Sequence, residues 1–131
     1  MKKIVALLAS LLVSVAVAAG EFPDISIKEV KALVKSKKAV IIDVNGSESY
    51  AKGHVPGALD FDVVEASLSK VLPEDKNALI VAYCGGPRCR AYQAAANAAE
   101  KLGYKNVKHM SAGISGWTGA GESVEKASRS K

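Results

Sequence analysis

Cysteine and histidine are scarce in this chain of 131 residues, which holds two of each: Cys84, Cys89, His54 and His109. Four Cys or His ligands at the spacing of a zinc site are therefore missing, and no metal is expected. Long apolar runs are missing too. The stretch from Ile4 to Val17 carries no charge, but it falls short of the roughly 20 residues that span a bilayer. No Cys follows it to carry a lipid. Neither sign of charge dominates, with 18 basic against 13 acidic residues and a net charge of +5. Removing Lys2 and Lys3 leaves about +3, dispersed over residues 28 to 38 and the tail after Glu125, which suits solvated helix faces rather than nucleic acid. Repeats, low-complexity tracts and linkers are absent after residue 20, so one domain is expected.

What is present begins with a leader. Lys2 and Lys3 precede the apolar stretch, and Ala16-Val17-Ala18, or Val17-Ala18-Ala19, supplies small residues for a peptidase. That order describes a secretory signal peptide over residues 1–19; an uncleaved anchor is the alternative. Residues 20–131, about 112 in number, then form one domain with one core, its tail fraying after about residue 122. The protein is expected to be periplasmic or secreted, a monomer, and free of the membrane after cleavage.

Ser26-Ile27-Lys28-Glu29 has the form of a capping box and opens a helix presenting Val30, Leu33 and Val34. Ala39 to Ile42 is a short apolar run with β-branched residues, as in a strand buried on both faces, and it ends at Asp43. Asn45-Gly46 marks a turn, and Ser47 to Tyr50 a short helix closed by Gly53. Residues 63 to 72 read as one helix stopping before Pro73. Ala78 to Tyr83 is a second buried strand. Arg90 to Leu102 is the clearest helix, with Tyr92, Ala95, Ala96, Ala99 and Leu102 on one stripe and Gly103 as its C-terminal stop. Asn106 to His109 makes a third strand. Alternating strands and helices predict an α/β fold with a parallel sheet covered on both faces. Ligands then sit beyond the carboxyl ends of the strands, where Asp43 and Cys84 fall.

Cys84-Gly85-Gly86-Pro87-Arg88-Cys89-Arg90 links a buried strand to a helix. A glycine-rich turn at such a junction can aim backbone N–H groups at one spot, an anion cradle at a helix N-terminus. Gly85 and Gly86 permit backbone angles that other residues resist. Arg88 and Arg90 offer fork-shaped donors for oxyanions, and at least one is expected to touch an anion. In this setting a thiol pKa falls from about 8.5 toward roughly 3.5–7.5. A drop of about two units raises the thiolate fraction at pH 7 from about 3% to about 75%, but intrinsic nucleophilicity falls roughly tenfold. The net gain in reactivity is a few-fold. The larger benefit of the cradle is in holding an anionic substrate, so a small anion is the expected partner. Alternatively, Cys84 is only a small buried hydrophobe at a strand end. A structural disulfide to Cys89 would staple only one tight loop, which argues against that role; a reversible bond to a resolving Cys89 is retained beside a bystander role.

At this point the chain resembles the rhodanese homology domain over nearly the whole mature region. Ile41-Ile42-Asp43-Val44 resembles the family's strand ending in Asp. Glu48-Ser49-Tyr50 followed by Gly53-His54-Val55-Pro56-Gly57-Ala58 resembles its Glu-x-Tyr…Gly-His-Ile-Pro-Gly-Ala signature. Tyr83-Cys84, Gly103-Tyr104-x-Asn106-Val107 and Gly113-Ile114-x-x-Trp117 resemble its active-site opening and closing motifs, with Ala120-Gly121 at the usual ending. The resemblance implies a three-layer α/β fold around a five-stranded, mostly parallel sheet. It also implies a sulfurtransferase that moves sulfane sulfur from thiosulfate or a similar donor to cyanide, a thiol or a protein acceptor through a Cys84 persulfide, without a cofactor. Gly85, Gly86, Arg88, Cys89 and Arg90 would form the anion site.

The loop departs from the family pattern: Pro87 stands where Gly is usual, Cys89 where Arg is usual, and Asn45 where Arg commonly follows Asp-Val. Cys84 to Arg90 also has the Cys-x5-Arg spacing of phosphatases and arsenate reductases of the same fold. Pro87, favoured at a first helical position, would start the helix early and tighten the loop against phosphate. A sulfur carrier or binding module without turnover is a third reading. Among the remaining residues, His54 is expected to shape its turn and Trp117 to seal the core. Asp43 either orients loop amides near the site or is structural, and His109 carries no functional assignment.

Overall fold

In the computed structural model, which describes residues 22–127, the capping box forms as expected. The Glu29 amide donates to Ser26 Oγ at 3.1 Å, and the Ser26 amide to Glu29 Oε2 at 3.2 Å, satisfying two amides at the head of α1 (Ile27–Ser36). The helix ends at Lys37, which takes the left-handed conformation with φ 56°. The chain then enters β1 (Ala39–Asp43), α2 (Ser47–Lys52), β2 (Leu59–Asp60) and α3 (Phe61–Val64). A 3-10 turn (Glu65–Ser67) separates α3 from α4 (Leu68–Val71). β3 (Leu79–Tyr83), α5 (Tyr92–Lys101), β4 (Asn106–His109) and α6 (Gly113–Gly119) follow. The single helix expected over residues 63 to 72 is thus two short helices about a 3-10 turn, anchored by buried Phe61, Leu68 and Leu72.

The strands are all parallel, in the order β2-β1-β3-β4. Among the described residues the sheet has four strands where five were expected. The place of the fifth, beyond β4, is taken by residues 23–25, which make a single bridge between Asp24 and His109. The His109 amide donates to Pro23 O and the Ile25 amide to His109 O. The ladder stops there because Pro23 has no N–H and Ser26 already turns into α1.

Side chains alternate across the sheet, as the period of two requires. Ile42, Ile80 and Ala82 pack with Phe61, Leu68, Ala95, Ala96 and Ala99 on one face. Ile41, Val81 and Tyr83 pack with Val30, Val55, Met110 and Trp117 on the other. This is the expected three-layer arrangement, and each large aliphatic removed from water contributes about 1.5–3 kcal/mol. α5 stops as predicted at Gly103 (φ 96°), where the Tyr104 amide reaches back to Ala99 O and the Gly103 amide to Glu100 O. Trp117 seals the second face, with Nε1 donating to Ser123 O at 2.9 Å. The tail, expected to fray after about residue 122, is held at Glu125. Glu125 exchanges two backbone bonds with His54 and accepts from the Gly57 amide at 2.8 Å. The leader expected over residues 1–19 lies outside the described residues.

Candidate active site

β1 and β3 end level, with Asp43 opposite Tyr83, so Cys84 leaves the sheet at the carboxyl edge of a central strand. It is 1% exposed. The loop that follows is gripped from behind by the head of α6. The Ile114 amide donates to Cys84 O and the Ser115 amide to Gly85 O, each at 3.0 Å. A peptide unit is planar, with its C=O and N–H on opposite sides. Turning these two carbonyls toward α6 therefore turns the amides of Gly85 and Gly86 away from it. Gly113 makes the grip close: its φ is 62°, and a Cβ there would lie 2.6 Å from Gly85 C and Gly86 N and 2.7 Å from Cys84 O. From the other side, the first amide of α5, that of Tyr92, donates to Cys84 Sγ at 3.4 Å. A helix N-terminus with a donor on the sulfur favours the thiolate whenever that sulfur is reduced.

Cys84 and Cys89 are joined by a disulfide, with 6.1 Å between their Cα atoms, inside the range such bonds need. The pairing set aside on spacing as a structural staple is therefore formed, because the loop curls back: the Cys89 amide donates to Gly86 O at 3.1 Å, closing a turn over Gly86-Pro87-Arg88-Cys89. Pro87 lies in that turn instead of opening the helix, and α5 starts at Tyr92, after Arg90 and Ala91 have accepted from the amides of Gln93 and Ala94. Gly85 and Gly86 do not use the conformational freedom they offer, since neither has a left-handed φ. A Cβ on either would make only ordinary contacts, at 3.8 Å or more. Arg88 and Arg90 are exposed, and among the described residues neither forms an ion pair. Asn45, where an Arg commonly stands in the resembled family, lies beside the loop, with Oδ1 3.8 Å from where a Gly85 Cβ would be.

Asp43 braces the neighbouring turn and does not touch the cysteine loop's amides. It accepts from the Tyr83 hydroxyl at 2.5 Å and from the Asn45 amide at 2.8 Å, while the Val55 amide donates to the same hydroxyl at 3.0 Å. Burial lifts the Asp43 carboxyl above its ordinary 3.8, and the bonds from Tyr83 and Asn45 pull it back. The Tyr83 phenol is raised well out of reach by burial and by its bond to Asp43. His54 also shapes the turn: its ring stacks on Tyr50 at 3.6 Å, and Nδ1 lies 2.8 Å from Tyr50 O. His109 stacks on Tyr92 with centroids 3.3 Å apart, and burial lowers its imidazole below 6.5 against the pull of Asp24. It thus supports from below the residue whose amide meets Cys84.

The contributions of Gly113, Ile114, Ser115 and the Tyr92 amide were not read from the sequence. The Gly-Ile-x-x-Trp segment was visible, but its contact with the cysteine loop is long-range. A cavity of about 500 Å³ lies elsewhere, lined in part by Phe22, Gly103, Tyr104 and Asn106 at the amino end of β4. Among the described residues no group of three His, Cys, Asp or Glu side chains is placed to hold a metal.

Comparison with known proteins agrees with this architecture. The model of the family described as Rhodanese-like domain matches residues 26–120. The Bacillus subtilis (strain 168) protein named "Putative sulfur carrier protein YrkF" is 31% identical over 106 residues, covering 79% of this chain and 55% of that protein. The chain thus spans about half the length of that curated relative. The solution structure of the rhodanese-like domain of the Anabaena sp. Alr3790 protein superposes with a TM-score of 0.64 at 24% identity, over 84% of this chain and 85% of that one. The human single-domain sulfurtransferase TSTD1 does so with a TM-score of 0.56 at 23% identity, over 76% and 97%. At these identities the two structures speak for the fold.

Proposed function

Because the chain belongs to the rhodanese-like domain family, we propose that its reduced form is a sulfurtransferase. It takes sulfane sulfur from thiosulfate or a similar anionic donor and passes it to cyanide or a thiol. The observation that carries this reading is the placement of Cys84 Sγ under the first amide of α5, at the end of a central strand. The Cys84 thiolate attacks the outer sulfur of thiosulfate, the S–S bond of the donor breaks, and sulfite leaves with the electron pair. The persulfide anion left on Cys84 is held by the Tyr92 amide, the amides of Gly85 and Gly86 are turned away from α6 and left to serve the anion, and Arg88 and Arg90 draw in the donor anion. The acceptor then attacks the outer sulfur and restores the thiolate. A sulfur already bonded to Cys89 cannot begin this cycle, so reduction precedes it. The basic and apolar leader of residues 1–19 supports export, into a compartment where disulfides persist.

The Cys-x5-Arg spacing supports phosphate or arsenate chemistry less well, because Arg90 is exposed and lies before α5 begins. A single comparison tests the reading. The reduced protein is given thiosulfate with cyanide, an aryl phosphate, or arsenate with a thiol. Thiocyanate is expected in the first case alone and is lost in Cys84→Ser. Cys84-dependent phosphate release or arsenate reduction without thiocyanate would overturn it. A carrier without turnover would take up sulfur yet release none to cyanide.

A further inference from the structure

Cys89 is not used by the cycle above, yet its sulfur is bonded to that of Cys84 within the folded loop. We propose that Cys89 discharges the Cys84 persulfide as sulfide, making the protein a catalyst of thiosulfate reduction by dithiols; this rests on the sulfur-transfer reading. The sulfur that Cys89 reaches is the inner one, Cys84 Sγ. The Cys89 thiol gives up its proton and its thiolate attacks Sγ, the bond from Sγ to the outer sulfur breaks, and the outer sulfur takes the electron pair and that proton and departs as hydrosulfide. The Cys84–Cys89 bond forms in the same step. Two thiols are oxidised to one disulfide, and the sulfane sulfur is reduced to sulfide by the same two electrons.

Exposure decides how the bond is reopened. Cys84 is 1% exposed, whereas Cys89 is half-buried, so an external dithiol meets the Cys89 sulfur first. Attack there makes Cys84 the leaving thiolate, and the Tyr92 amide at 3.4 Å stabilises it as it departs. The second thiol of the dithiol then releases Cys89. Cys84 returns as the thiolate that attacks the next donor. Over one cycle, thiosulfate and a dithiol become sulfite, sulfide and a disulfide, and all atoms and electrons are accounted for.

The test uses the full chain, reduced, freed of reductant without air, and mixed with one equivalent of thiosulfate. Sulfite, sulfide and the protein's mass are followed together. The wild type is expected to release sulfite and then equal sulfide, ending as the Cys84–Cys89 disulfide. Cys89→Ser, with Cys89→Ala beside it in case the serine disturbs the loop, is expected to release sulfite, keep one added sulfur and yield no sulfide. A wild type that holds its added sulfur as stably as these variants, or variants that release sulfide as the wild type does, would overturn the proposal. A different result, no sulfite from any of the three, would instead remove the sulfur-transfer reading on which it rests.

Discussion

Gly113 does more for the cysteine loop than the two glycines inside it. Its left-handed φ and the backbone atoms 2.6–2.7 Å from a would-be Cβ leave no flexible side chain to yield. Gly113→Ala is expected to cost about 1–3 kcal/mol in denaturant unfolding, as a strained backbone position does, and to slow sulfite release from thiosulfate. Gly86→Ala, whose Cβ would meet Ser115 Cβ at 3.8 Å and Ala112 O at 4.0 Å, is expected to stay within about 1 kcal/mol of wild type. A larger loss in Gly86→Ala than in Gly113→Ala would contradict this picture of the grip. The loop's glycines were conspicuous in the sequence because they flank the cysteine. The steric demand on Gly113 arises only when α6 docks, and no local pattern displays it.

The ends of β1 and β3 are joined by one buried network, Asp43 with Tyr83 with the Val55 amide. Tyr83→Phe leaves the carboxylate and that amide each short of a partner, a loss of about 1–3 kcal/mol for a buried unsatisfied group. The pH dependence follows from Asp43. Its folded pKa is raised above 3.8, so the folded state binds the proton more readily than the unfolded one. The group therefore contributes most below 3.8, and that contribution is lost as pH rises through the folded value. Removing the Tyr83 donor raises that value further. Unfolding curves should show the Tyr83→Phe deficit growing from pH near 3.8 to neutrality, and a deficit constant over that interval would exclude Asp43 as its cause. Elements of this size were readable wherever the signal was local: the Ser26–Glu29 capping box, the apolar runs of β1 and β3, and Gly103 at the end of α5. The start of α5 was misread because Pro87 fits a turn as well as a first helical position, and the closing of the loop by Cys89 chose the turn.

For the whole molecule, the layers and the carboxyl-edge location of Cys84 were legible, because strand–helix alternation leaves few ways to cover a parallel sheet. The number of strands was not. A fifth ladder depends on whether residues 23–25 can run on beside β4, and Pro23 and the turn into α1 limit them to one bridge. The cysteine pair was legible as an option only, since six ångströms between Cα atoms is a property of the curled loop and not of the spacing. Both the transfer cycle and the discharge by Cys89 begin with the same bond, the S–S bond of thiosulfate broken by Cys84. The most direct measurement is therefore the burst of sulfite when the fully reduced protein meets excess thiosulfate with no acceptor present. The account predicts one sulfite per protein, none from the disulfide form and none from Cys84→Ser. A reduced protein that releases no sulfite, or a burst that survives in Cys84→Ser, would contradict it.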